Sequence, residues 1–141
     1  MVCASIAAAA PLRSSEARLL EAVNQARASY GLRPLRLDAK LTRAARAHSN
    51  DMIAHQYFAH GPFARRLQAF GAQLRFSGEN LAWGKGSRAR AGVIVQEWLA
   101  SPEHRANLLR PSFTRIGIGA FRARFYGYSG VAVVTADFGG V

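Results

Sequence analysis

The spacing of apolar residues changes once along this 141-residue chain, and that change limits the fold more than any other feature. Up to Leu109 the apolar positions recur three and four residues apart, the period of helices with one buried face. From Arg115 they alternate, through Ile116, Ile118 and Ala120, and again from Val131 and Val133 to Phe138, with a Gly-Tyr-Ser-Gly turn at 127 to 130 between the two runs. That is the pattern of a β-hairpin. Helices first and strands later, without strand-helix-strand alternation, point to an α+β domain in which helices cover an antiparallel sheet.

Local signals divide the helical part. Leu19, Val23, Ala26 and Tyr30 share one face of a first helix, with Ser14 or Ser15 as cap and Gly31 as stop. A short extended stretch around Leu35 and Leu37 follows, and Asp38 is a good N-cap for a second helix whose stripe runs Leu41, Ala45, His48, Met52 and His55. Phe63 to Phe70, ended by Gly71, reads as a short third helix. The glycine-punctuated SGENLAWGKGS reads as irregular or extended. Ser87 is the expected cap of a helix whose buried side carries Ala91, Ile94, Val95, Trp98 and Leu99. Ser101 and Pro102 end it and start another, which Pro111 stops.

Length and composition fit one domain, residues 14 to 141, large enough to fold without staples. Cys3 is the single cysteine, so no disulfide can form within the chain. No apolar run approaches the ~18 residues of a membrane span. Residues 1 to 13 begin with the small apolar segment MVCASIAAAAP, which reads either as the remnant of a secretory signal peptide or as a disordered terminus. The net charge is +11, and every basic residue except Lys40 and Lys85 is arginine. Such a surface favours anionic partners. The arginines are spread from Arg13 to Arg124 rather than gathered in one block, which argues against nucleic-acid binding as the function.

Residues able to carry chemistry are few. There is no HExxH, no GxSxG, no paired CxxC and no GxxxxGK[ST]. His60, Glu79 and His104 stand out because they fall in irregular segments or beside them. Two imidazoles and a carboxylate can form an open divalent-metal site. The structural alternative makes His60 a loop cap, ties Glu79 to backbone amides and turns His104 back towards Ser101. His48 and His55 read as core or boundary histidines, and Ser101 as a helix cap rather than a nucleophile with His104 as its base. Trp83, Trp98, Phe58, Phe63, Phe70 and Phe76 are most simply core, although an apolar groove would use the same side chains. Gly78 is expected to resist substitution if its backbone needs a positive φ.

Taken together, HSNDMIAHQYFAH at 48 to 60, SGENLAWG at 77 to 84 and EWLASPEHRANLL at 97 to 109 resemble the CAP superfamily, named for cysteine-rich secretory proteins, antigen 5 and pathogenesis-related 1 proteins. The resemblance runs from about residue 15 to residue 138. It implies a three-layer α-β-α sandwich with a central antiparallel sheet, and export to the outside, the periplasm or the cell envelope. It also implies a central cleft that in eukaryotic members holds two histidines and two glutamates, sometimes with zinc or another divalent ion. His60 matches the first histidine, Glu79 the first glutamate and His104 the second histidine. Ser101 stands where the second glutamate is expected, with Glu103 the nearby substitute. Losing that carboxylate should weaken divalent binding in so cationic a protein. The cysteine-rich segments of animal relatives are missing from this sequence.

A shared family does not fix a reaction. The leading expectation is an exported, monomeric, non-enzymatic binding module whose cleft at His60, Glu79, Ser101 and His104 engages a lipid, a sterol-like molecule or an envelope polymer, which the half-apolar composition, the aromatic supply and the basic surface allow. A second expectation is a hydrolase with Glu79 as general base on a water held by His60 and His104, assisted by a divalent ion. The third is nucleic-acid binding through arginine.

Overall fold

The computed structural model describes residues 11–141, so the apolar segment at 1–10, Cys3 included, lies outside the described residues. The chain forms α1 (Ser14–Ser29), β1 (Arg36–Leu37), α2 (Ala39–His55), α3 (Phe63–Ala69), β2 (Phe76–Gly84), α4 (Ala91–Ala100), α5 (Pro102–Leu108), β3 (Arg115–Phe125) and β4 (Tyr128–Gly140). The sheet order is β1-β3-β4-β2, with β4 antiparallel to both β3 and β2. The edge strand β1 pairs parallel with β3 through Arg36 and Leu37, an exception to the antiparallel expectation.

Alternation along each strand sends side chains to opposite faces. Ile116, Ile118, Ala120, Val134, Ala136 and Phe138 pack against Leu19 and Val23 of α1, Ile94, Val95 and Trp98 of α4, and Leu108 of α5. On the other face Leu81, Val131 and Val133 pack against Met52 of α2, while Leu41 and Ala44 of α2 meet Leu67 of α3. The result is the α-β-α sandwich.

The expected caps are partly realised. Asp38 accepts from the Leu41 N–H at 2.9 Å at the start of α2, and Gly31 takes φ +71 just past α1. Ser14 is already helical, and α1 is capped instead by the Glu16 carboxylate accepting from the Arg13 N–H. Ser87 does not cap α4: Gly86–Ala89 forms a 3₁₀ turn, and Arg90 is the N-cap residue. The hairpin turn sits at Tyr126 and Gly127, both at positive φ, with Phe125 and Tyr128 as the closing pair. It lies earlier than expected because a two-residue turn of this kind needs two left-handed residues. Gly130, at φ +65, belongs to a strand irregularity opposite Ala123 to Phe125.

The segment read as irregular or extended is the nine-residue strand β2, paired without a gap from Phe76 opposite Gly140 to Gly84 opposite Ala132. Gly78 is not among the positive-φ residues. Its constraint is space: a Cβ there would stand 2.7 Å from Asn107 Oδ1 and 3.0 Å from Phe113 Cζ.

Candidate functional site

Strand β2 places Glu79 on the face that α2 covers, directly opposite Asp137 of β4, which is itself opposite Gly117 of β3. The Glu79 side chain is fully buried, and a buried carboxylate needs partners. It has two. His60, on the loop between α2 and α3, donates Nδ1–H to Oε1 at 2.9 Å, and Arg66 of α3 donates to Oε2 in an ion pair. Arg66 Nη1 also donates to the His60 carbonyl at 3.2 Å and to His48 Nδ1 at 3.1 Å. His48 completes the chain by donating Nε2–H to the Ala59 carbonyl at 2.8 Å.

These contacts fix tautomers. His48 must be neutral with its proton on Nε2, because Nδ1 accepts from a guanidinium. Burial, and then the Arg66 charge, hold its pKa below the usual histidine value. His60, whose Nδ1 carries the proton given to Glu79, is half exposed at its side chain. Asp137 is buried, and among the described residues neither of its carboxyl oxygens has a hydrogen-bond partner. Burial, followed by the neighbouring Glu79, pushes it well above the ordinary carboxylate range.

His104 of α5 lies on the far side of the β2 edge. Burial and the nearby His60 lower its pKa, which Glu103 opposes. Its backbone carbonyl accepts from Asn80 Nδ2 at 3.0 Å. The structure thus joins His60 to Glu79 directly and sets His104 near His60. No hydrogen bond or ion pair joins Ser101 or Glu103 to these three groups among the described residues; Ser101 occupies the N-cap position of α5, but its side chain makes no capping bond. His55 is exposed, within 3.1 Å of Asp51, and is not a core residue. Phe58 is also exposed rather than core.

Sequence reasoning did not single out Arg66 or Asp137 and read His48 as structural. Beside these groups a groove of about 490 Å³ opens between α2 and α3, lined by His48, Asp51, Tyr57, Arg65 and Arg66. Tyr57 donates to Asp51, and burial with that bond pushes its phenol up to about 12, so the groove keeps a neutral hydroxyl beside its arginines.

Residues 20–138 match the family model described as CAP, the cysteine-rich secretory protein family. The chain is 37% identical over 110 residues to the uncharacterized protein YkwD of Bacillus subtilis (strain 168), covering 74% of this chain and 41% of that protein. It is 32% identical over 105 residues to the human Golgi-associated plant pathogenesis-related protein 1, covering 74% of this chain and 61% of that protein. A crystal structure of an extracellular protein containing a SCP domain from Bacillus anthracis superposes with a TM-score of 0.75 at 27% identity, over 94% of this chain and 45% of that one. The chain thus spans less than two thirds of each of these relatives.

Proposed function

Since the chain belongs to the cysteine-rich secretory protein (CAP) family, we propose that it is an exported or envelope-located binding module that holds an anionic, envelope-derived ligand such as a lipid headgroup at the His60, Glu79 and His104 cleft. The observation that carries this reading is the engagement of Glu79: both carboxylate oxygens are taken, one by His60 and one by Arg66, so Glu79 is not free to act as a general base. Arg65 and Arg66 line the adjoining groove, where the one carboxylate, Asp51, already accepts from Tyr57, and their guanidinium groups suit an anionic group. An extracellular relative and the net charge of +11 support the same placement and partner. Among the described residues no helix is long and apolar enough to cross a membrane.

Co-sedimentation with vesicles of anionic phospholipid, beside vesicles of phosphatidylcholine alone, tests it. Binding selective for the anionic vesicles should fall at least about tenfold in His60→Ala/His104→Ala, the worth of one lost charge-assisted contact. Equal binding by the double variant would move the site elsewhere.

One observation favours a second reading. A histidine oriented by a buried carboxylate is the base-and-orienter pair of hydrolases. In that case His60 is the base and Glu79 its orienter, reversing the role expected for Glu79 from sequence. Release of a cleavage product, abolished in the same double variant, would replace binding with this reading.

A further inference from the structure

The divalent ion implied by the family resemblance does not fit the donor set of this chain. Among the described residues no three His, Cys, Asp or Glu side chains are gathered closely enough to hold a metal ion. Glu79 is fully buried with both oxygens engaged, and His60 has already committed Nδ1 to it. An ion could reach Glu79 only by displacing one of these partners.

We propose that Arg66 is the resident cation of this cleft: its guanidinium occupies the place on Glu79 that a divalent ion would need, so the cleft works without metal, and removing Arg66 uncovers a metal site.

The guanidinium is held from several sides. It meets Glu79 Oε2, the His60 carbonyl at 3.2 Å and His48 Nδ1 at 3.1 Å, and its side chain is only 14% exposed. It springs from α3, whose next residue, Leu67, is buried against Leu41 and Ala44 of α2. This is a fixed positive charge rather than a mobile surface one. A second cation beside it would meet like charge in a site screened from water. The three acceptors around the guanidinium are a carboxylate oxygen, an imidazole nitrogen and a carbonyl oxygen. All three are groups that ligate zinc or related divalent ions once the cation between them is gone. The inference holds whichever ligand the cleft takes, because it concerns what sits on the inner side of Glu79.

Calorimetric titration of zinc at neutral pH into the full chain, Arg66→Ala, Arg66→Gln, Glu79→Gln and Arg66→Ala/Glu79→Gln tests it, with circular dichroism to establish folding. Arg66→Ala should bind one zinc at least about a hundredfold more tightly than the unmodified protein, and the added Glu79→Gln should remove that gain. If Arg66→Ala does not fold, Arg66→Gln carries the test, since it keeps a donor to Glu79 without the charge and should also bind more tightly than the unmodified chain. Two results would overturn the proposal. One is saturable zinc binding by the unmodified protein that Glu79→Gln abolishes and Arg66→Gln does not strengthen. The other is a folded Arg66 variant that gains no zinc affinity.

Discussion

His48 shows how a single side chain ties the site to pH. Its ring is buried and bonded at both nitrogens, as acceptor from Arg66 and donor to Ala59, and protonation of Nδ1 abolishes the bond from Arg66. Burial and Arg66 lower its folded pKa below the ordinary 6.5. The unfolded chain therefore takes up a proton at pH values where the folded protein does not. Stability from this residue is fully present above pH 6.5 and is lost as pH falls towards the lowered folded value. His104, also lowered, acts in the same direction. Thermal unfolding should be flat just above neutrality and decline below about pH 6.5, and His48→Gln should reduce the decline because its amide can serve both partners without taking a proton. An identical decline in the variant would assign the effect to other groups. At this scale the motifs identified His60, Glu79 and His104, whose neighbours in sequence are distinctive. Arg66 looked like one more arginine on a helix and Asp137 like one polar position in an alternating strand. What gives them meaning is a shared position: Arg66 is thirteen residues from Glu79, and Asp137 faces it only through strand pairing.

At the scale of elements, α4 and α5 do more than supply apolar surface. β2 is an edge strand, and exposed edges leave carbonyls without partners. Here Trp98 Nε1–H donates to the Leu81 carbonyl at 3.0 Å, and Asn107 Nδ2 donates to the Glu79 carbonyl at 3.2 Å, so the two helices close the edge that carries the site. Trp98 is 2% exposed. Trp98→Ala should therefore destabilise by about 3 to 5 kcal/mol through the cavity and the unpaired carbonyl. A loss below about 1 kcal/mol in urea unfolding would contradict this account of the edge. The helices were legible because their buried faces repeat and Asp38, Gly31 and Gly71 mark boundaries. β2 was less so, since Gly78, Glu79, Asn80 and Leu81 are consecutively buried and no alternation shows along them. Covered on both faces, the strand conceals the polar-apolar contrast that would betray it.

For the whole molecule, the decisive residues are those that let the layers approach. Gly117 and Gly119 sit on the α2 side of β3, and a Cβ at Gly117 would lie 2.0 Å from the Leu41 carbonyl carbon, at Gly119 2.5 Å from that of Ala45. Helix backbone rests directly on strand backbone, and Ser49 closes the contact by hydrogen bonds of 2.8 Å to the Gly119 carbonyl and to Thr135. On the opposite face the buried Arg27 guanidinium binds the carbonyls of Arg33, Leu108, Arg110 and Phe113, fastening the end of α1 to the loop before β3. Arg46 meets buried Glu16, and Arg66 meets Glu79. Part of the arginine excess is thus internal, which charge counting could not reveal. Because α2 carries His48 and is packed against α3, its distance from the sheet also sets the position of Arg66 over Glu79. Gly117→Ala must push α2 outward, since the obstacle is backbone and cannot turn aside. It should cost about 3 kcal/mol or more, the upper end for overpacking, and should weaken anionic-vesicle binding even where the variant remains folded. Full stability with intact binding would mean that α2 can ride away from the sheet without disturbing the cleft.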